Sequence, residues 1–345
     1  MQSLFKAISL TGIEFLFLQA LGFPRKKFYH EENILENQII HYSRNPRFPI
    51  KNENNGNLLR YLPFTFSPLV LALSLYSNMV YAKNTAYGSG AEAAGASSTA
   101  YGENSKAGGT RSTSLGSGSY ASTDYTTALG ANAKAGNPSS TAVGEAAHAG
   151  GVFSTATGSD AQANGDRSTA TGKSSRANKV QSTANGQNAN AQGHYSTAIG
   201  ESAFAVGDNS TAIGQGAKAA DRFATATGQN ALATDMYATA TGYNSLANGS
   251  GTATGAGAQV TGGGVATGYA AHATGIGSVA TGNSAQATGI GSVATGNVVQ
   301  ATGDYSTATG AGARSSGESS TATGYGAVAT GVSSTVTGKA AKATG

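Results

Sequence analysis

Few residues in this chain are able to do chemistry, and their spacing limits what they can do. Cysteine is absent, which removes thiol nucleophiles, thiolate metal ligands and disulfides together. His148 and His272 share a phase in the repeat described below but lie far apart along the chain, and no pair of histidines has ligand spacing. Asp221 and Asp235 occupy the same phase of adjacent repeats, ~5 Å apart if those repeats stack at strand spacing. Carboxylates that close suit a retaining glycosidase. Asp also favours turns, and no other carboxylate cluster supports catalysis, so the turn reading is preferred. Gly275-Ile276-Gly277-Ser278-Val279-Ala280 imitates a dinucleotide loop, but no helix follows it and it recurs at 289–294. The nine-residue calcium-binding glycine repeat fails on both period and Asp position. With no convergent polar site, the chain is expected not to be an enzyme and to carry no cofactor and no metal.

Composition limits the elements that carry these residues. Glycine accounts for 50 of 345 residues, tryptophan is absent, and charged residues are 11%. Large aliphatic side chains thin out after residue 82. A chain this poor in bulk is either disordered or a repeat solenoid whose thin interior takes small side chains. The net charge of +4 divides unevenly: residues 1–82 hold 8 Lys+Arg against 5 Asp+Glu, and the remainder 13 against 12. The basic balance therefore belongs to the leader. Nothing forms a phosphate-binding stripe, and nucleic acid is not an expected partner.

Residues 1–50 form an apolar, then basic, N-terminal extension interrupted by Lys6 and Glu14. It reads either as a long signal extension or as sequence ahead of the true start, and no folded domain is expected there. Residues 51–82 read as a Sec-type signal: Lys51 and Arg60 lie upstream, Leu69–Leu75 is the apolar region, and Val80-Tyr81-Ala82 fits cleavage after Ala82. A membrane-anchoring helix is the alternative, but the apolar run is short for one.

From Gly88 a glycine closes an "S-T-A-x-G" phrase every 14 residues, with two steps of 13 to Gly255 and Gly268, and on to Gly338. Nineteen phased glycines identify a repeat architecture. A second marker falls seven residues later, as in Gly95, Gly109, Gly193 and Gly207. It is replaced at other repeats by Thr123, Asn137, Lys179, Asp221 or Asp235. Gly, Asn and Asp tolerate positive φ, so this reads as a left-handed turn position. Between the markers the pattern has period two: Ser306, Ala308 and Gly310 point one way, Thr307 and Thr309 the other. Each unit is two short strands and two turns. Residues 83–345 are thus predicted to be all-β, a parallel β-solenoid of 14-residue coils with a core of Ala and Ser.

The two outer faces differ. One carries Thr197 and Ile199, Thr211 and Ile213, Thr225 and Thr227, Thr239 and Thr241, Val279 and Val293, with no charge. The other carries Glu92, Lys106, Lys134, His148, Arg176, Lys218, His272, Arg314 and Lys342. The methyls inside one coil return little against the entropy of ordering it. Burial of the Thr/Val/Ile face between identical chains supplies the missing area, so those ten residues are the expected subunit interface. A monomer would instead expose Thr-x-Thr rows like those of ice-binding solenoids. Aromatics recur five residues before the phased glycine, at Tyr125, Phe153, Tyr195, Phe223, Tyr237 and Tyr305. They either make adhesive contacts or cap the core at the turn. Phe223 and Tyr237, with Tyr195 and Phe204, are the candidate ligand contacts, near Leu232 and Met236.

Asn209-Ser210-Thr211-Ala212-Ile213-Gly214 and Tyr195-Ser196-Thr197-Ala198-Ile199-Gly200 are close to an N-S-V-A-I-G phrase. On these motifs residues 84–345 resemble the head repeats of trimeric autotransporter adhesins, the YadA-like heads of Gram-negative bacteria. The resemblance implies a left-handed β-roll and a homotrimer with its inner sheets on the shared axis. It further implies binding to collagen, other host matrix proteins or sister cells, and export to the cell surface at the outer membrane. The Asn position departs from the pattern at Arg167, Tyr195, Phe223, Tyr237, Gly277 and Tyr305, and Ile is usually Thr. The chain ends at Gly345 in mid-repeat, without a neck, heptad stalk or anchor strands. It therefore reads as a fragment or truncated product, or as a head whose anchor is encoded separately.

Overall fold

The computed structural model describes residues 84–344. The extension at 1–50, the signal at 51–82 and its cleavage at Ala82 lie outside the described residues. Small side chains alternating with β-branched ones favour short extended segments, and a glycine or polar turn ends each after two or three residues. The result is 38 strands, from β1 (Thr85–Tyr87) to β38 (Lys342–Ala343), in which three-residue odd strands alternate with two-residue even strands. Odd strands pair only with odd strands and even with even, always in parallel, one coil to the next. β17 (Thr197–Ile199), β19 (Thr211–Ile213) and β21 (Thr225–Thr227) stack with Ala198, Ala212 and Ala226 in register. β18 (Phe204–Ala205), β20 (Lys218–Ala219) and β22 (Leu232–Ala233) do the same in the second sheet. The predicted parallel β-solenoid is the observed fold.

A regular coil sends four small side chains inward. In one they are Ser210, Ala212, Ala217 and Ala219, all fully buried. Ser suits the first of these places because its hydroxyl reaches back to the turn: Ser210 Oγ donates to Gly207 O at 2.6 Å, and Ser196 Oγ to Gly193 O at 2.7 Å. Turn backbone is tied coil to coil as well, as in Gly214 N–H to Ile199 O at 2.8 Å.

The turns correct one expectation. Positive φ occurs three times per regular coil: at the phased glycine, as in Gly200 (φ 126°), two residues later, as at Ser202, and seven after that, as at Asn209 (φ 56° each), and 27 such residues are not glycine. The second marker of the regular coils is not among them: Gly193 and Gly207 lack positive φ, as do Thr123, Asn137, Lys179, Asp221 and Asp235, whereas Gly249, seven residues after Gly242 in a short coil, takes φ +65°. The left-handed residue sits two positions later. Glycine is favoured at the marker by crowding, since a Cβ on Gly193 would run into the Gly207 carbonyl of the next coil.

The two 13-residue coils lose their residue in the turn after the even strand. Four residues, 248–251, join β24 (Leu246–Ala247) to β25 (Thr252–Thr254), where regular coils use five. A second four-residue turn, 261–264, joins β26 (Gln259–Val260) to β27 (Val265–Thr267). The ladder passes through unbroken, with Thr239, Thr252 and Val265 in register.

Candidate functional site

Register converts the repeat into surfaces. On the outer face of the odd-strand sheet, Thr197, Thr211, Thr225 and Thr239 form one row, and Ile199, Ile213, Thr227 and Thr241 the next. Val279 and Val293 pair directly further along. No outward position of any odd strand carries a charge. The threonines and the two valines are half-buried in the single chain, whereas Ile199 and Ile213 are 39% and 38% exposed. The ten expected interface residues thus lie on one continuous, uncharged, β-branched plane.

The even-strand sheet presents the opposite chemistry. Its outer face carries Lys106, Lys134, His148, Arg176, Lys218, His272 and Arg314, among amides and a few apolar side chains. Phe204 and Leu232 belong to this face, and Lys218 Nζ stands 5.8 Å from the centre of the Phe204 ring, a cation–π distance.

Phe223, Tyr237 and Tyr195 lie elsewhere, on the edge formed by the turns that follow even strands. They take left-handed φ of 59°, 64° and 57°. The Phe223 and Tyr237 rings stack at 5.2 Å with planes 7° apart. These side chains are 45–57% exposed, so they project from the edge and do not cap the core, which Ala and Ser already close. The four proposed contacts therefore divide between two surfaces: three on the edge and Phe204 on the charged sheet.

The aspartates are structural in their contacts. Asp221 Oδ1 accepts the N–H of Arg222 at 2.6 Å, and Asp235 Oδ2 accepts the N–H of Gly249 at the same distance. A second set is not anticipated from the repeat. Asp124, Asp166, Asp208 and Asp304 each precede a left-handed residue and accept the N–H at the same phase of the previous coil, from Thr110, Val152, His194 and Ile290, at 2.7–2.9 Å. Their signal was present, an Asp eight residues after a phased glycine, but scattered over only four coils. Among the described residues no three His, Asp or Glu side chains gather as a metal site requires, and no helix is long and apolar enough to cross a membrane.

No curated protein matches the chain. The collagen-binding domain of the Yersinia adhesin YadA, known from its crystal structure, is 28% identical over 46% of this chain, with a TM-score of 0.25. The chain spans 65% of that domain's length. The YadA head domain repeat matches at 107–133, 135–161, 150–175, 177–203, 205–231, 222–245, 263–285, 273–297 and 301–327. Those segments take in more than half of the residues and run through both sheets, so the solenoid is a member of the YadA head domain repeat family.

Proposed function

We propose that this solenoid is the adhesive head of an exported bacterial surface protein, assembled as a homotrimer and binding without catalysis. Membership of the YadA head repeat family supports an adhesin-like role. The observation that carries the assembly is the uncharged plane of the odd-strand sheet. A face of Thr, Val and Ile in unbroken register, opposite a charged face, is built to be covered by copies of itself. Thr197, Ile199, Thr211, Ile213, Thr225, Thr227, Thr239, Thr241, Val279 and Val293 are the subunit contacts in this reading. The aromatic edge of Tyr195, Phe223 and Tyr237, together with Phe204, then remains outside for the ligand: a host matrix protein such as collagen, or a sister cell. A Gram-negative outer membrane is the proposed location, with anchoring supplied outside these repeats.

Native mass spectrometry of the purified chain should report a trimer. Thr197→Lys with Ile199→Lys should yield monomer, whereas Gln162→Lys on the charged sheet should leave assembly intact. Trimeric Phe223→Ala/Tyr237→Ala should lose binding to collagen-coated or cell-coated surfaces. A stable wild-type monomer would refute the assembly, and thermal hysteresis from such a monomer would favour ice binding by the Thr rows.

A further inference from the structure

Asn precedes Gly at three places in the described residues: Asn164-Gly165, Asn185-Gly186 and Asn248-Gly249. With no side chain on glycine, its backbone nitrogen meets least hindrance in reaching the preceding side-chain amide. Two of these glycines are held away by the coil-to-coil ladder: Gly165 N–H donates to Ala177 O at 3.3 Å and Gly186 N–H to Thr171 O at 2.8 Å. Gly249 differs. It lies in the four-residue turn of a short coil, with φ at +65°, and its N–H points at side chains instead. That N–H lies 2.9 Å from Oδ1 of Asn248 itself and 2.6 Å from Oδ2 of Asp235 in the preceding coil. Thr234 Oγ completes the group, 3.0 Å from Asn248 Oδ1 and 2.9 Å from Asp235 Oδ2.

A nucleophile, an electrophile, a base and an oxyanion donor are thereby assembled around one amide. We propose that Asn248 is a self-modification site, converted to aspartate and isoaspartate by its own turn. Asp235 Oδ2 takes the proton of Gly249 N–H as that nitrogen bonds to Asn248 Cγ, and the carbonyl electron pair moves onto Oδ1. The single Thr234 hydroxyl proton turns from Asp235, now protonated, to the new oxyanion. Collapse breaks the Cγ–Nδ2 bond, and ammonia leaves with the proton that Asp235 returns. Water then opens the five-membered imide at one carbonyl to give Asp, or at the other to give isoaspartate. The sum is amide plus water to acid plus ammonia, with no redox change. Asn248 is exposed, so water reaches it. The product adds a negative charge in a turn next to that of Tyr237, and isoaspartate lengthens a turn that is one residue short.

The test is a time course on the full chain in neutral buffer, with peptide mapping of all three sites and fragmentation that distinguishes isoaspartate. Asn248 should convert about tenfold faster than Asn164 and Asn185 in the folded chain, and the three rates should converge in denaturant. Asp235→Asn and Thr234→Val should each slow Asn248 about tenfold and leave the other two sites alone. The wild-type rate at Asn248 should rise less steeply with pH than that of the unfolded chain, because a fixed carboxylate replaces hydroxide. Circular dichroism confirms folding, and if Asp235→Asn fails to fold, Thr234→Val and the three-site comparison still decide. Equal rates at the three sites in the folded chain, a lead for Asn248 that persists in denaturant, or an unchanged rate in both folded variants would overturn the proposal.

Discussion

Val260 and Gly251 show how the core tolerates a larger side chain, and a double-mutant cycle on them tests the packing argument. Almost every inward position holds Ala or Ser, yet Val260 is fully buried and brings two additional methyl groups. Its room comes from Gly251, which stands where other coils place an inward Ser or Ala. A Cβ on Gly251 would run into Val260 Cγ1 and lie 3.1 Å from Val260 Cβ. Gly251→Ala alone should therefore overpack, at about 1–3 kcal/mol. Val260→Ala alone loses two methyls at about 0.8 kcal/mol each, rising to about 2–3 kcal/mol with the unfilled space. Together the two changes restore the ordinary Ala pairing, and their costs should fall short of the sum by about 1–2 kcal/mol. Recovery stays incomplete, because the new Cβ still lies 3.0 Å from Gly264 O. A solenoid does not open all at once. The suitable assay is therefore native-state hydrogen exchange at the amides of β24 to β27, read as local opening free energies. Costs that add to within about 0.5 kcal/mol would show that Val260 and Gly251 do not share one space, and would refute the reasoning.

Gly228→Ala should destabilise its coil by about 3 kcal/mol: φ is +128°, and the new Cβ would lie 2.6 Å from Gly242 O. Gly277→Ala should cost only about 1 kcal/mol, since φ is +65° but nothing lies within 4 Å; hydrogen exchange compares the two. Asp208→Ala removes the acceptor of His194 N–H and should cost about 1–2 kcal/mol, seen as faster exchange of that amide, while Asp208→Asn should retain most of the protection. Tyr195→Gly should stabilise its turn by about 0.5–1 kcal/mol, because φ is 57° and the ring is 55% exposed; a measured loss of stability would show that the ring is packed after all.

The faces were legible because the same alternation is written nineteen times. Ser210, Ala212, Ala217 and Ala219 read as inward from period two alone, and Thr211 and Ile213 as outward, and the register confirms each. The turns were less legible, because glycine answers two different physical needs. At Gly214 it answers a φ of +127°, but at Gly193 it answers the approach of the next coil's backbone, and only coordinates separate the two. Left-handed φ was hidden for a related reason: the positions that carry it hold Ser, Arg, Gln, Phe and Tyr as well as Asn. The constellation around Asn248 was invisible for a third reason. It joins Thr234 and Asp235 to Asn248 and Gly249 across one coil step, and it depends on a turn that loses one residue.

The aromatic edge argues for a role beyond the single chain. Left-handed φ costs a residue with a Cβ about 1–2 kcal/mol. The same phase takes Gly at Gly277 and Gly291, which shows that the turn itself does not require a ring. Tyr125, Phe153, Tyr195 and Tyr305 occupy it at 55–64% exposure, so burial returns little of that cost within the chain. Phe223 and Tyr237 recover a part by stacking, about 0.5–1.5 kcal/mol for the pair. A residue held in a costly backbone conformation with its apolar surface in water is offset only by what that surface touches. That deficit supports placing the main ligand contacts at this edge, with Phe204 of the charged sheet adding to them. It also makes the edge separable from the fold: substitution there should weaken adhesion while the solenoid becomes no less stable.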